Sequence, residues 1–261
     1  MATSFLFPWV WLLSTSFKPP HQIIEFPPRL MPERFEWVNY VYAVTRIHYG
    51  RYLVNTLVIS GLVLVGRVFS CTVVAYGLTH VNWPGKNVLF MIVLATMMLP
   101  GQVTMIPVYI IYTKLDWINT ILPLTVPAFF GDAFFIFLLR QFFATIPEAL
   151  TDAARLDGCS HVGVYWRIVM PLARPALATL IVFTFIWTYT DFQSPLIYLK
   201  DQELWTLSLG LRGFMRRYGA GGATALGALM AAAVLYTLPM IVLFFAAQKT
   251  FIQGIVTTGL K

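Results

Sequence analysis

The chain has 261 residues, of which 58% are hydrophobic and only 11% are charged, whereas soluble domains contain about half apolar and about a quarter charged residues. This composition excludes a disordered chain, a disulfide scaffold and an ordinary cytosolic enzyme, and it indicates a polytopic membrane protein. The formal net charge of +7 would suggest nucleic acid as a partner of a soluble protein, but here we assign it to loops that face lipid headgroups and partner proteins.

Apolar segments follow one another along the chain. A helix needs about 20 apolar residues to cross the hydrocarbon core, because each residue rises about 1.5 Å. Five segments are long enough, and the short first one is interpreted as the outer part of a span whose beginning is missing, or as a truly short helix. We predict an all-α polytopic membrane protein, a single transmembrane domain over 1–261, with six spans at residues 2–17, 52–79, 88–112, 121–143, 176–199 and 223–247.

Two charged residues fall near the middle of predicted spans. Arg67 lies in the second span and Asp132 in the fourth, and a charge in the bilayer core is costly unless it is paired or faces an aqueous cavity. We predict that the two side chains pair or share one polar cavity; two separate charges solvated by a pore are the alternative. Pro100 and Pro107, with Gly101, are expected to break the third span, as in helices that move or line a cavity.

The segment 145–171, between the fourth and fifth spans, predicts two short helices. Thr145 and Glu148 have the spacing of a capping box at the start of the first helix. Gly158 is a natural helix stop, and Ser160 has the position of an N-cap for the second helix. An interfacial amphipathic loop, which any membrane protein can have, is the simpler interpretation.

The spacing of residues within this segment is more specific. Asp152, Ala153 and Ala154 are followed by Gly158 and then by Ile-Val-Met-Pro at residues 168–171. This order resembles the E-A-A---G---------I-L-P signature of permease subunits of ABC importers. Aspartate replaces the usual glutamate and methionine the usual leucine, and both changes keep the chemical character of the position.

Shorter matches extend the resemblance to the carbohydrate-uptake, maltose-type branch of that family. Each is weak alone, and their order along the chain carries the argument. They lie at residues 16–18, 55–57, 83–86, 187–196, 251–254 and 259–261.

The resemblance implies a pore-forming subunit in a bacterial or archaeal cytoplasmic membrane that imports a sugar or oligosaccharide. It implies as partners a second permease subunit, an ATPase dimer that holds ATP and Mg²⁺, and an extracytoplasmic solute-binding protein. The permease itself would be non-catalytic and bind no cofactor or metal, and the sequence contains no G-x-x-x-x-G-K-[ST] motif.

The resemblance also implies residue roles. The candidate ATPase-docking residues are Glu148, Asp152, Ala153, Ala154 and Gly158. The candidate pore or substrate residues are Arg67, Asp132, Trp187, Tyr189 and Asp191. The candidate contacts with the solute-binding protein are Arg216, Arg217, Gly219 and Gly221, in the loop 204–222.

Each role has a simpler alternative. In the docking loop, Asp152 would pair with a basic residue of the ATPase and the two alanines would allow close helix approach, although alanine also simply favours helix. Aromatic rings beside a carboxylate suit the apolar faces and hydroxyls of a sugar, but they are also ordinary packing residues. The arginines of the loop 204–222 would meet an acidic surface, or belong to a flexible solvated loop.

Two other functions compete with a sugar importer. An ABC permease for another solute, such as glycerol phosphate or a peptide, would carry the same docking signature. A proton-coupled secondary transporter would also have six spans and buried carboxylates, but it predicts inverted repeats and activity without an ATPase.

Overall fold

The computed structural model describes residues 2–46, 48–218 and 222–258, and within these the chain is helical and has no strand. The α-helices are α1 Ala2–Ser16, α2 Pro20–Ile23, α3 Val38–Arg46, α4 Tyr49–His80, α5 Lys86–Thr96, α6 Gly101–Lys114, α7 Leu122–Thr125, α8 Ala133–Phe143, α9 Glu148–Leu156, α10 His161–Val164, α11 Met170–Leu172, α12 Arg174–Thr190, α13 Gln193–Tyr198, α14 Leu207–Tyr218 and α15 Gly222–Thr258. The 3₁₀ segments are Val126–Phe130 and Gln202–Leu204, and Tyr165–Val169 is a π-helical turn.

Three helical segments among the described residues are long and apolar enough to cross a membrane: Tyr49–His80, Leu122–Phe143 and Gly222–Gln248. Two further pairs of helices meet the same criterion only together, since each is bent, by 97° between α5 and α6 and by 78° between His161–Leu172 and α12. The apolar part of α1, Phe5–Ser16, is shorter. The all-helical membrane class predicted from the sequence is therefore confirmed, with three spans, or up to five if each bent pair crosses once.

Several predicted span boundaries need correction. The third span is broken at Pro100, as expected, because proline cannot donate the backbone hydrogen bond of a continuing helix; Pro107, however, lies within the helix α6. The predicted span 176–199 ends at Thr190, where α12 stops before the short helix α13. The predicted span 121–143 changes to 3₁₀ geometry after Thr125 and pauses at Gly131, whose φ of +95° favours glycine.

The contacts divide the chain into two units. The first comprises Met1–Val58 and Tyr189–Leu243, and the second comprises Ile59–Thr188 and Phe244–Lys261. In the first unit, the Asn39 side-chain amide donates to the backbone carbonyls of Ser16 and Lys18, at 3.0 and 3.1 Å. The first bond gives a partner to the last carbonyl of α1, and the second to a carbonyl just beyond that helix.

The second unit contains the larger apolar core. Phe135, Leu139 and Phe143, on one face of α8, are completely buried there with Leu180 and Val164. Residues four apart lie on the same helix face, which explains why α8 can bury this row. The core positions the polar residues described below.

Candidate functional site

The helix α9, the first in the segment 145–171, has a different kind of cap at each end. The predicted capping box is wrong: Pro147 occupies the N-cap position, and the Thr145 hydroxyl donates to the carbonyl of Phe142 at 2.7 Å. At the other end, Gly158 has φ +84° and the amide of Cys159 donates to the carbonyl of Ala154 at 2.9 Å. This is a Schellman ending, so the predicted role of Gly158 as a helix stop is confirmed.

The second helix begins where the sequence predicts. The Ser160 hydroxyl accepts a hydrogen bond from the amide of Gly163 at 3.2 Å and caps α10. The helical path then continues through the π turn and α11 to Leu172, so that Pro171 lies inside it and does not end it. The bend of 78° follows at Ala173.

Three hydrogen bonds tie both loop helices to the end of α4. The Tyr76 hydroxyl donates to the carbonyl of His161 at 3.0 Å, and the hydroxyls of Thr72 and Tyr165 are 2.7 Å apart. The guanidinium of Arg155 donates to the carbonyl of His80 at 2.9 Å, which gives a partner to a carbonyl in the last turn of α4.

This anchoring was not predicted from the sequence. The signal that could have indicated it is the spacing of Thr72, Tyr76 and His80, which lie four residues apart and therefore on one face of α4. Because the bonds reach both loop helices, α9 and the helix that follows it are fixed to the same end of α4.

The predicted docking residues differ in how much of each is exposed to solvent. Ala154 is only 9% exposed and packs inward, whereas Glu148, Asp152 and Ala153 are exposed. An Asp152 carboxylate oxygen lies 3.7 Å from a guanidinium nitrogen of Arg155, and the Asp152 side chain is 62% exposed. An exposed pair of this kind is weak, so the Asp152 carboxylate can exchange Arg155 for another cation.

The same segment carries exposed apolar side chains that the sequence analysis did not single out. We call them the apolar docking face: Leu150 (46% exposed), Leu156 (90%), Val162 (66%) and Trp166 (57%). Leu150 and Leu156 lie on α9, outside the candidate spans, whereas Val162 and Trp166 lie on His161–Leu172, the first arm of a bent pair. Exposed apolar side chains outside a span indicate an interaction surface.

A second group of polar residues lies between α4 and the start of α8. The Arg67 guanidinium lies 3.4 Å from an Asp132 carboxylate oxygen, and the side chains are 21% and 27% exposed. The predicted pairing is therefore present. The same carboxylate caps α8, because it accepts hydrogen bonds from the amides of Phe134 and Phe135 at 3.1 and 3.3 Å.

Arg67 keeps further hydrogen-bonding capacity. Its Nε and Nη1 atoms are buried and have no partner among the residues that the structure describes, and its guanidinium carbon lies 5.5 Å from the centre of the Phe135 ring. The backbone amide of Asp132 donates to the Cys71 sulfur at 3.3 Å. The pair thus contains donors that a polar substrate group, water or a partner subunit could use.

The remaining candidate substrate residues make structural contacts. Trp187, in the second unit, is 44% exposed, and its ring lies 5.3 Å from that of Phe135. In the first unit, Tyr189 is fully buried, and its hydroxyl donates to the carbonyl of Tyr236 at 3.0 Å. An Asp191 carboxylate oxygen accepts from the amide of Ser194 at 3.1 Å, at the start of α13.

Of the candidate contacts with a solute-binding protein, the structure describes Arg216, which is exposed on α14. Gly219, Gly221 and the tail motif 259–261 lie outside the described residues, as does the side chain of Arg217. Within the described part of the chain, no group of three or more His, Cys, Asp or Glu side chains could hold a metal ion.

Comparison with known proteins supports the resemblance. A family model described as the binding-protein-dependent transport system inner membrane component matches residues 69–257. The arabinooligosaccharides transport system permease protein AraQ of Bacillus subtilis is 31% identical over 98% of this chain and 91% of its own length. The sn-glycerol-3-phosphate transport system permease protein UgpE of Yersinia pestis is 30% identical over 90% of this chain and 85% of its own.

A solved structure shows the same fold. One chain of a bacterial ABC transporter involved in the import of the acidic polysaccharide alginate superposes with a TM-score of 0.86. The alignment covers 96% of this chain and 92% of that one at 23% identity, so it supports the fold alone. From the family match and the similarities along the whole chain, we conclude that this chain belongs to the inner membrane components of binding-protein-dependent transport systems, the multi-pass permease subunits of ABC transporters.

Proposed function

We propose that this chain forms half of the translocation pore of an ATP-driven importer for a sugar or oligosaccharide. The family supports the importer, and the cargo is inferred from the relative named for arabinooligosaccharides. Glycerol phosphate, named for the relative UgpE, is the second candidate cargo. The chain acts as a non-catalytic subunit that holds no cofactor.

In this proposal the protein is a single transmembrane domain with six spans. The three long helical segments and the two bent pairs supply five of them, and α1 supplies the first. A second permease completes the pore, and a separate ATPase dimer holds ATP and Mg²⁺. The solute-binding protein contacts the loop 204–222, where Arg216 is exposed and Arg217, Gly219 and Gly221 follow.

The observation that carries the proposal is the apolar docking face on a loop held to α4 by three hydrogen bonds. A groove on the ATPase would cover this face, with Glu148, Asp152 and Ala153 at its edge and Gly158 shaping the turn. Burial of a leucine side chain contributes about 1.5–3 kcal/mol. An apolar contact of this strength can bind the ATPase at a loop that would otherwise expose the face to water.

The anchoring bonds give a route by which the ATPase could act on the pore. A rigid-body shift of the two loop helices would move the end of α4 with them, because Arg155 joins α9 to α4, and Tyr76 and Thr72 join α4 to the helix that follows α9. Arg67 lies nine residues before Tyr76 in the same helix, about 14 Å along its axis. Movement of α4 would therefore reach the Arg67–Asp132 pair, where a polar substrate could pass.

Docking is tested by Leu156→Asp in the complex purified from native membrane. Leu156 is 90% exposed, so the substitution leaves the fold of the chain intact. Burying a charge in the interface and losing the apolar contact should together cost more than about 1.4 kcal/mol of binding free energy. The affinity for the ATPase should therefore fall at least tenfold. Leu156→Met, which keeps the apolar surface, is the matched control. Equal ATPase recovery and activity with both variants would remove this face from the interface.

The cargo is tested by ATPase activity of the reconstituted complex. Stimulation by a binding protein loaded with an arabinooligosaccharide, and not by one loaded with glycerol phosphate, is the expected result. The opposite preference would assign the second cargo. Transport by the chain alone under a proton gradient, without ATP, would contradict the importer.

A further inference from the structure

A cleft in the first unit joins α1, the segment after it and α15. Its volume is about 190 Å³, and its lining includes Trp11, Thr15, Lys18 and Gln22 at one end. Pro8, Leu12, Leu226 and Met230 contribute apolar surface, and the lining contains no carboxylate. The cleft therefore combines one cationic end with apolar walls.

The cationic end is unusual because the lysine that forms it is almost entirely buried. Lys18 is 2% exposed, and its ammonium lies 4.1 Å from the centre of the Trp11 ring. Among the residues that the structure describes, the ammonium has no carboxylate and no hydrogen-bond acceptor. Burial lowers the pKa of Lys18. An ammonium that reaches the cleft on a largely buried stem, with no counterion beside it, is favourably placed to bind an anion.

A second polar group in the cleft is also without a partner. Thr15 is 5% exposed, and its hydroxyl is buried and makes no hydrogen bond in the described part of the chain. Gln22, by contrast, is engaged, because its amide donates to the carbonyl of Met31 at 2.7 Å and accepts from the amide of Glu33 at 3.0 Å. The Thr15 hydroxyl and the Lys18 ammonium are thus donors available in the cleft, and both suit phosphate oxygens.

We propose that this cleft binds an anionic phospholipid, with the headgroup phosphate on Lys18 and Thr15 and an acyl chain along the apolar walls.

The depths of the lining residues fit such a ligand. Lys18 lies two residues after the end of α1, where the chain leaves the apolar helix. Pro8 lies eight residues before the last residue of α1, and Met230 lies eight residues after the first residue of α15, which places each about 12 Å along its helix. The cleft therefore runs from the expected headgroup level into the expected acyl level, where water and soluble anions are scarce.

The proposal rests on the membrane location of the protein and not on its cargo or its ATPase. It is tested by native mass spectrometry of the detergent-purified full chain with its co-purifying subunits. Phosphatidylglycerol and phosphatidylcholine are added at equal concentrations, and inorganic phosphate is added in a separate series. We expect one phosphatidylglycerol to be retained at least fivefold more than phosphatidylcholine, and inorganic phosphate not to displace it.

Variants distinguish this site from general lipid adhesion. Lys18→Met keeps an unbranched apolar stem against Trp11 and should abolish the preference, whereas Lys18→Arg should keep it. Leu226→Trp, at a side chain that is 38% exposed, should block the acyl path while leaving the charge in place. Equal melting temperatures without added lipid show that the variants are folded.

Two results would overturn the proposal. Undiminished phosphatidylglycerol retention in both Lys18→Met and Leu226→Trp would show that the lipid binds elsewhere. Displacement by inorganic phosphate would show that the cleft takes a free anion. Neither result would affect the ATPase and cargo experiments, since those variants lie outside the docking face.

Discussion

The Arg67–Asp132 pair allows a sharp test because the carboxylate has two functions that can be separated. Asp132 both faces Arg67 at 3.4 Å and caps α8. Asparagine is as good an N-cap as aspartate, so Asp132→Asn keeps the cap and removes only the charge. The substitution leaves the Arg67 guanidinium, 21% exposed, without its counterion in a predicted span.

The expected loss in the free energy of unfolding follows from the burial of the Arg67 and Asp132 side chains. Removing one partner of a fully buried ion pair costs about 3–5 kcal/mol. Since about a quarter of each side chain is exposed here, we expect a loss of about 2 kcal/mol in the free energy of unfolding. Arg67→Met should cost a similar amount because it leaves the carboxylate unpaired. The double variant leaves no unpaired charge and should cost about 1 kcal/mol.

The assay is unfolding by sodium dodecyl sulfate in mixed micelles, applied to the parent chain, both single variants and the double variant. From these values the cycle should give a coupling energy of about 3 kcal/mol, because the two single losses together exceed the loss in the double variant by that amount. Asp132→Ala, which also removes the cap, should cost about 1 kcal/mol more than Asp132→Asn. If the two single losses add within about 0.5 kcal/mol, the side chains do not interact and the pairing argument is refuted.

Two further predictions concern packing and anchoring. A Cβ atom at Gly66 would lie 2.8 Å from the Phe129 ring, so Gly66→Ala should destabilise the chain by about 1–3 kcal/mol. Gly61→Ala in the same helix meets nothing within 4 Å and should be neutral or stabilising in the same unfolding assay; an equal loss at both sites would contradict the close approach. Arg155→Gln removes the charged donor to the His80 carbonyl, so hydrogen exchange at the α9 amides should become several-fold faster, as measured by mass spectrometry. The exposed Arg29→Gln is its control, and unchanged α9 exchange would show that the bond to His80 does not hold the loop.

Local features of this protein are readable from its sequence. The apolar segments predict membrane helices because a chain in lipid must satisfy its backbone within each helix. The stop at Gly158 and the cap at Ser160 are correct, since each involves only bonds within a few residues. The break at Pro100 is correct for the same reason, because a missing amide is a property of that residue alone.

Other features depend on residues that are distant in the sequence, and only the tertiary structure decides them. One local prediction is nevertheless wrong: Pro147, and not Thr145, stands at the start of α9, because the Thr145 hydroxyl donates to the carbonyl of Phe142 in the preceding turn. Nothing in the sequence around Tyr189 indicates that its hydroxyl would donate to the carbonyl of Tyr236, or that the hydroxyl of Tyr236 would donate to the carbonyl of Tyr189.

The segment 145–171 shows the division most clearly. The sequence by itself determined that a helix, a glycine turn and a second helix lie between two spans, since propensities and caps act locally. The tertiary structure decided that Ala154 packs inward while Leu156 stays outside, and that Thr72 and Tyr76 hold the loop. The physical reason is that burial and long-range hydrogen bonds depend on which faces meet when the chain folds, and no local pattern specifies those faces.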